Sequence, residues 1–110
     1  MKRVAGGWCL VAGAALALAT PASAGLTEGP RLAAVYDTIL HAQFADVDAQ
    51  LARTCPPAPR EACLELVAVS LWWQILINPE SRARDRAMNA AATAAIAASE
   101  AWTRREPQRA

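Results

Sequence analysis

Few side chains in this sequence combine a reactive type with a useful spacing. His41 is the sole histidine. Its side chain is the only one with an unperturbed pKa near neutrality. It falls near the end of an expected helix, where a cation suits the helix dipole. It therefore reads as a surface or capping residue rather than a catalytic base or a ligand. Asp46 and Asp48 point to different sides of a helix, which suits neither a metal nor an acid/base pair. Ser70 sits inside an apolar stretch, and Ser81 fits the first turn of a helix. Neither forms a nucleophile–base–carboxylate set with His41. The sequence carries no Gly-rich phosphate loop, no H-E-x-x-H and no C-x-x-C,. No catalytic, cofactor-binding or metal residue is expected, and an enzyme or cofactor carrier is the least supported reading.

Cys55 and Cys63 are the next candidates. They flank a Pro-rich loop that holds Pro56, Pro57 and Pro59. In an oxidising compartment such a pair usually bonds. A bridge here would tie the end of one helix to the first turn of the next. Loop entropy makes so short a staple worth roughly 2.5 kcal/mol. The other reading is two small buried residues at a helix contact. Zinc does not fit, because the spacing is wrong and His41 is not near in sequence.

Trp72, Trp73 and Trp102 form a possible interaction surface. Trp72 and Trp73 point about 100° apart on a helix. One should be core. Core for both is expected, with a groove or a contact to a further repeat as the other reading for the second. Arg82, Arg84 and Arg86, with Asp85, read as a solvated face, with a phosphate or acidic-peptide site as the alternative.

Helices must position these residues. The composition is Ala-rich with five glycines, which favours helix. Residues 66–77 read Leu-Val-Ala-Val-Ser-Leu-Trp-Trp-Gln-Ile-Leu-Ile. Leu64, Val67, Leu71 and Ile75 make one stripe, and Leu66, Val69, Trp73 and Leu76 another. A helix apolar on every side must be covered on more than one face. At least two further helices should therefore pack on it. Gly29-Pro30 predicts the start of a helix over 30–42, with Leu32, Val35, Tyr36, Ile39 and Leu40 inward. A second helix is expected over 45–54, with Phe44 plugging the corner, Val47 and Leu51 inward, and Asp46 and Asp48 in its first turn. Prolines end it. Pro59 opens a third helix, to residue 77, with Glu61 in the first turn. Asn78-Pro79-Glu80 predicts a fourth helix over 79–105. Its Met88, Ala92, Ala95, Ser99 and Trp102 form a narrow seam whose small residues allow close approach to the third helix.

The N-terminus has the three parts of a secretory signal. Lys2 and Arg3 precede an apolar run from Trp8 to Ala19, and Ala22-Ser23-Ala24 is a small-x-small cleavage site,. Cleavage after Ala24 leaves a domain over 25–110. Cys9 lies too early, after Gly6-Gly7-Trp8, for a lipoprotein signal. An uncleaved membrane anchor is the alternative, since residues 4–24 carry no charge. Lys2 and Arg3 account for two of the eleven basic residues, so the remainder is slightly acidic against ten carboxylates. Nothing there attracts nucleic acid or acidic membrane. A domain this small has a marginal core.

Proline punctuation is regular: Pro30, Pro59 and Pro107 each stand where a helical hairpin opens. Each hairpin would bury its apolar surface on a neighbour, the logic of a helical solenoid. The chain stops just past Pro107, which suggests a piece of a longer protein.

The first hairpin resembles the tetratricopeptide repeat of exported bacterial proteins. Ala42-Gln43-Phe44-Ala45-Asp46-Val47 fits its small-x-aromatic-x-x-small turn, with Val47 larger than the usual Ala. Leu51 stands where a large apolar residue is usual, and Pro59 at the closing proline. Thr38 departs from the preferred aromatic, the upstream Trp and Leu-Gly positions are unmatched, and the second hairpin exceeds a 34-residue repeat. Leu71-Trp72-Trp73-Gln74-Ile75 and the segment from Glu100 to Pro107 resemble the region preceding the regular repeats in such proteins. The resemblance implies an all-α fold of two stacked helical hairpins after a signal helix. It also implies a non-enzymatic scaffold that binds protein or peptide in the cell envelope, periplasmic or secreted. It carries over no site residue. The alternative is a self-contained exported helical protein that pairs as a homodimer through the seam of the fourth helix.

Overall fold

The computed structural model describes residues 27–108. The expected signal segment, residues 1–24, and the cleavage site expected after it lie outside them. Within the described residues the fold is all-helical, with four helices and no strand. These are α1 (Gly29–Leu40), α2 (Phe44–Thr54), α3 (Arg60–Ile77) and α4 (Asp85–Arg105).

Helix α1 has Pro30 in its first turn, where the missing N–H costs nothing. It ends in a Schellman motif. The Ala42 N–H donates to Ile39 O at 2.9 Å and the Gln43 N–H to Thr38 O at 3.1 Å. Ala42 takes the left-handed conformation at φ 58°, a position that glycine usually fills. Three residues, His41 to Gln43, suffice to turn the chain, and Phe44 begins α2. The hairpin is antiparallel. Arg31 Nη2 donates to Arg53 O at 2.6 Å and so ties the start of α1 to the end of α2.

Val35 and Ile39 of α1, Val47 and Leu51 of α2 and Cys63 of α3 form the core. Leu32, Phe44, Leu66, Val67, Val69 and Trp73 pack around it. Val35, Ile39 and Val47 are the most completely enclosed large side chains. Burying each is worth ~1.5–3 kcal/mol. Between α2 and α3, the sulfurs of Cys55 and Cys63 lie at disulfide-bonding distance, with Cα atoms 6.4 Å apart. Thr54 is buried beside them and satisfies its hydroxyl on Gln50 O at 2.8 Å.

Helix α3 is covered from several directions, as its all-round apolar pattern requires. It contacts α1, α2 and α4. Helix α4 runs antiparallel along α3. Ser99 Oγ donates to Glu65 Oε1 at 2.8 Å, and Arg105 Nη2 donates to Glu61 Oε1 at 2.8 Å. The expected seam is the face turned to α3: Ala95 is buried, and Met88, Ala92, Ser99 and Trp102 are partly so.

Two boundaries differ from expectation in an instructive way. Helix α4 starts at Asp85, not at Pro79. Asn78 serves the preceding helix, its N–H donating to Gln74 O at 3.3 Å. Polar groups then close local turns that compete with helix. The Ser81 N–H donates to Asn78 O at 3.1 Å, and Ser81 Oγ accepts from the Ala83 N–H at 3.3 Å. Asp85 takes the first turn and pairs with Arg82 at 3.2 Å. In α2, the helix begins one residue early, at Phe44. Only Asp46 lies in its first turn, and Asp48 sits beyond it.

Candidate functional site

A shallow, open and mostly apolar groove of about 730 Å³ lies between α3 and α4. Its floor comes from Ala68 and Val69 of α3 and from Ala92, Ala95 and Ile96 of α4. Small residues make it. The run of alanines in α4 leaves little side chain to cover α3, and Ile96 stands as the bulky exception. Ile96 is 59% exposed. The Glu65–Ser99 hydrogen bond crosses the groove, and Glu100, Thr103 and Arg104 border it.

The same stripe of α3 continues beyond the groove. Trp72 is one turn past Ala68 and Val69, and Leu76 one turn further. They are 50% and 48% exposed. Such exposed large apolar residues on one side of a small domain are the usual mark of an interaction surface.

The three tryptophans do not form one surface. Trp73 packs against the core, while Trp72 points outward, so the expectation that both are core is overturned for Trp72. The cause is their 100° separation: α1 and α2 cover the Trp73 side, and α4 is too slender to cover Trp72. Trp102 lines an adjoining hollow with Pro59 and Ala62 at the start of α3, which shares Glu65, Ser99 and Thr103 with the groove. Ala62 and Trp72 are about 15 Å apart along the helix axis.

His41 caps the end of α1. It is exposed, and its Nδ1 lies 2.8 Å from Asp37 O and 3.6 Å from Asp37 Oδ2. Ser70 is buried at 5% exposure and hydrogen-bonds Gln74, while Ser81 lies in the α3–α4 turn and accepts from the Ala83 N–H. Among the described residues no three of His, Cys, Asp and Glu gather where they could hold a metal ion. No described helix is long and apolar enough to cross a membrane.

Glu61 is the group whose electrostatics are shifted. Its own backbone N–H donates to its carboxylate. That bond, with Arg105 and Arg60 behind it, holds the carboxyl below its ordinary value against burial, the second-largest effect, which raises it. This is a helix-terminal ion pair that fastens the far end of α4 to the first turn of α3. Sequence reasoning missed it, along with Glu65–Ser99, because both join residues more than thirty positions apart. It also missed Ile96, although a single bulky residue in an alanine run was a visible signal.

The chain matches no family model, no curated protein sequence and no solved structure.

Proposed function

We propose that this chain is a non-enzymatic, exported helical scaffold that binds an apolar segment of a protein or peptide in the α3–α4 groove. The observation that carries the reading is the apolar stripe of Val69, Trp72 and Leu76 beside Ile96. A groove of this kind takes an amphipathic helix through anchors at i, i+3, i+4 and i+7. The tetratricopeptide-like reading rests on the first hairpin, where Ala42 and Phe44 occupy the turn positions and Val47 and Leu51 face the core. Export is supported by the pattern of residues 1–24 and by the Cys55–Cys63 pair, which suits an oxidising compartment.

The test is selection of binders from a random peptide library on the oxidised protein, with light scattering beside it. Enriched peptides should be amphipathic and should lose binding to Trp72→Ser and Ile96→Ser proteins that remain helical. Peptides indifferent to both substitutions would overturn the reading. A stable dimer whose dissociation follows from the same substitutions would replace it with self-association.

A further inference from the structure

A second cleft lies on the opposite flank of α3. It has a volume of about 410 Å³ and lies between α2, α3 and the start of α4. A neighbouring hollow of about 300 Å³ shares Phe44, Gln74 and Arg84 with it. Together they reach the size of ordinary small-molecule sites.

The lining is unlike the rest of α3. Ser70 and Gln74 are the only polar residues in the stretch from 66 to 77, and both face this cleft. They are one helical turn apart. Gln74 Nε2 donates to Ser70 O at 3.2 Å and to Ser70 Oγ at 3.4 Å. Ser70 is only 5% exposed, and Gln74 partners its hydroxyl within the helix.

The charges are arranged across the cleft. Arg84 lines it from the start of α4, and Asp48 lines it from α2. Among the described residues neither makes an ion pair or a side-chain hydrogen bond. By contrast, Arg31, Arg82 and Arg105 all pair with carboxylates. Phe44, Val67 and Leu71 supply apolar wall. One cation and one anion from different elements, with a hydroxyl and an apolar wall between them, match one kind of ligand.

We propose that this cleft binds a small zwitterion of the α-amino-acid type with an apolar side chain. Its carboxylate meets Arg84, favoured by the positive end of the α4 dipole. Its ammonium meets Asp48. The Ser70 hydroxyl donates to a carboxylate oxygen, and the side chain lies on Phe44 and Leu71. This site is separate from the α3–α4 groove and does not depend on it.

The experiment is amide NMR of the full chain, titrated with each proteinogenic amino acid to about 10 mM, which would detect even a millimolar site. At least one apolar amino acid should give saturable shifts confined to residues 44–48, 70–74 and 83–85. N-acetylation and C-terminal amidation of that amino acid should each weaken binding about tenfold or more, as loss of a charged contact does. Arg84→Gln should erase the penalty for amidation, and Asp48→Asn the penalty for acetylation. Both residues are exposed and unpaired among the described residues, so neither substitution should alter the fold. Absence of saturable shifts across the panel overturns the proposal. So does equal binding of the capped forms, or a map of shifts on residues 92–103, which would place the ligand in the other groove.

Discussion

Ala42→Gly should stabilise this protein. Ala42 is held at φ 58° by the Schellman bonds at the end of α1. The left-handed region costs an L-residue roughly 1–2 kcal/mol relative to glycine, because Cβ crowds the carbonyl oxygen. Glycine gives back about 0.4–1 kcal/mol through its greater freedom in the unfolded chain. The side chain of Ala42 is exposed, so no packing is lost. The balance is a gain of about 0.5–1 kcal/mol. For a domain of this size that raises the thermal midpoint by about 3–6 °C. Circular dichroism melting of both proteins under oxidising conditions reads it directly. Ala42→Val supplies the opposite sign. A β-branched residue is a genuine outlier at positive φ, and it should lower stability by about 1 kcal/mol or more. A lower midpoint for Ala42→Gly, at unchanged helicity, would refute the argument that a strained cap closes the first hairpin.

Two further predictions concern the ends of α3. Replacing Cys55 and Cys63 together by Ala should lower stability by roughly 2.5 kcal/mol by loop entropy, measured by urea unfolding. Free thiols in the oxidised protein, or an unchanged midpoint, would show that the pair is only a packing contact. Glu61 should make stability pH-dependent. Its folded pKa is depressed, so its contribution is present above the ordinary glutamate range and is lost as pH falls through the folded value. Glu61→Gln should flatten the stability profile in that acid window. Arg105→Gln should flatten it only in part, because the backbone hydrogen bond, the largest single cause of the shift, remains. A steeper acid loss in Glu61→Gln would contradict the sign.

What could be read from the sequence was whatever local physics decides. Prolines and caps placed α1, α2 and α3 to within a few residues, since they act on the backbone next to them. The all-round apolar pattern of α3 demanded cover from several helices, and α1, α2 and α4 provide it. The Cys55 and Cys63 spacing anticipated sulfurs at bonding distance. Local reasoning failed where two local signals competed. Asn78-Pro79 looks like a helix start, but Asn78 closes α3 and Ser81 turns the chain, which delays α4 to Asp85.

The tertiary structure alone decided which faces of α3 stay open. Periodicity put Trp72 and Trp73 on different sides but could not say which side would be covered. That depended on the thinness of the alanine-rich α4, which leaves Trp72 and Leu76 half exposed. Likewise, Ser70 and Gln74 read as two polar interruptions in an apolar helix. Only the fold brings Asp48 from α2 and Arg84 from α4 to the same cleft. Sequence fixes what each helix can bury. Which of those faces stays open depends on side-chain volume summed across helices that are far apart in the chain, and that sum exists only once they pack.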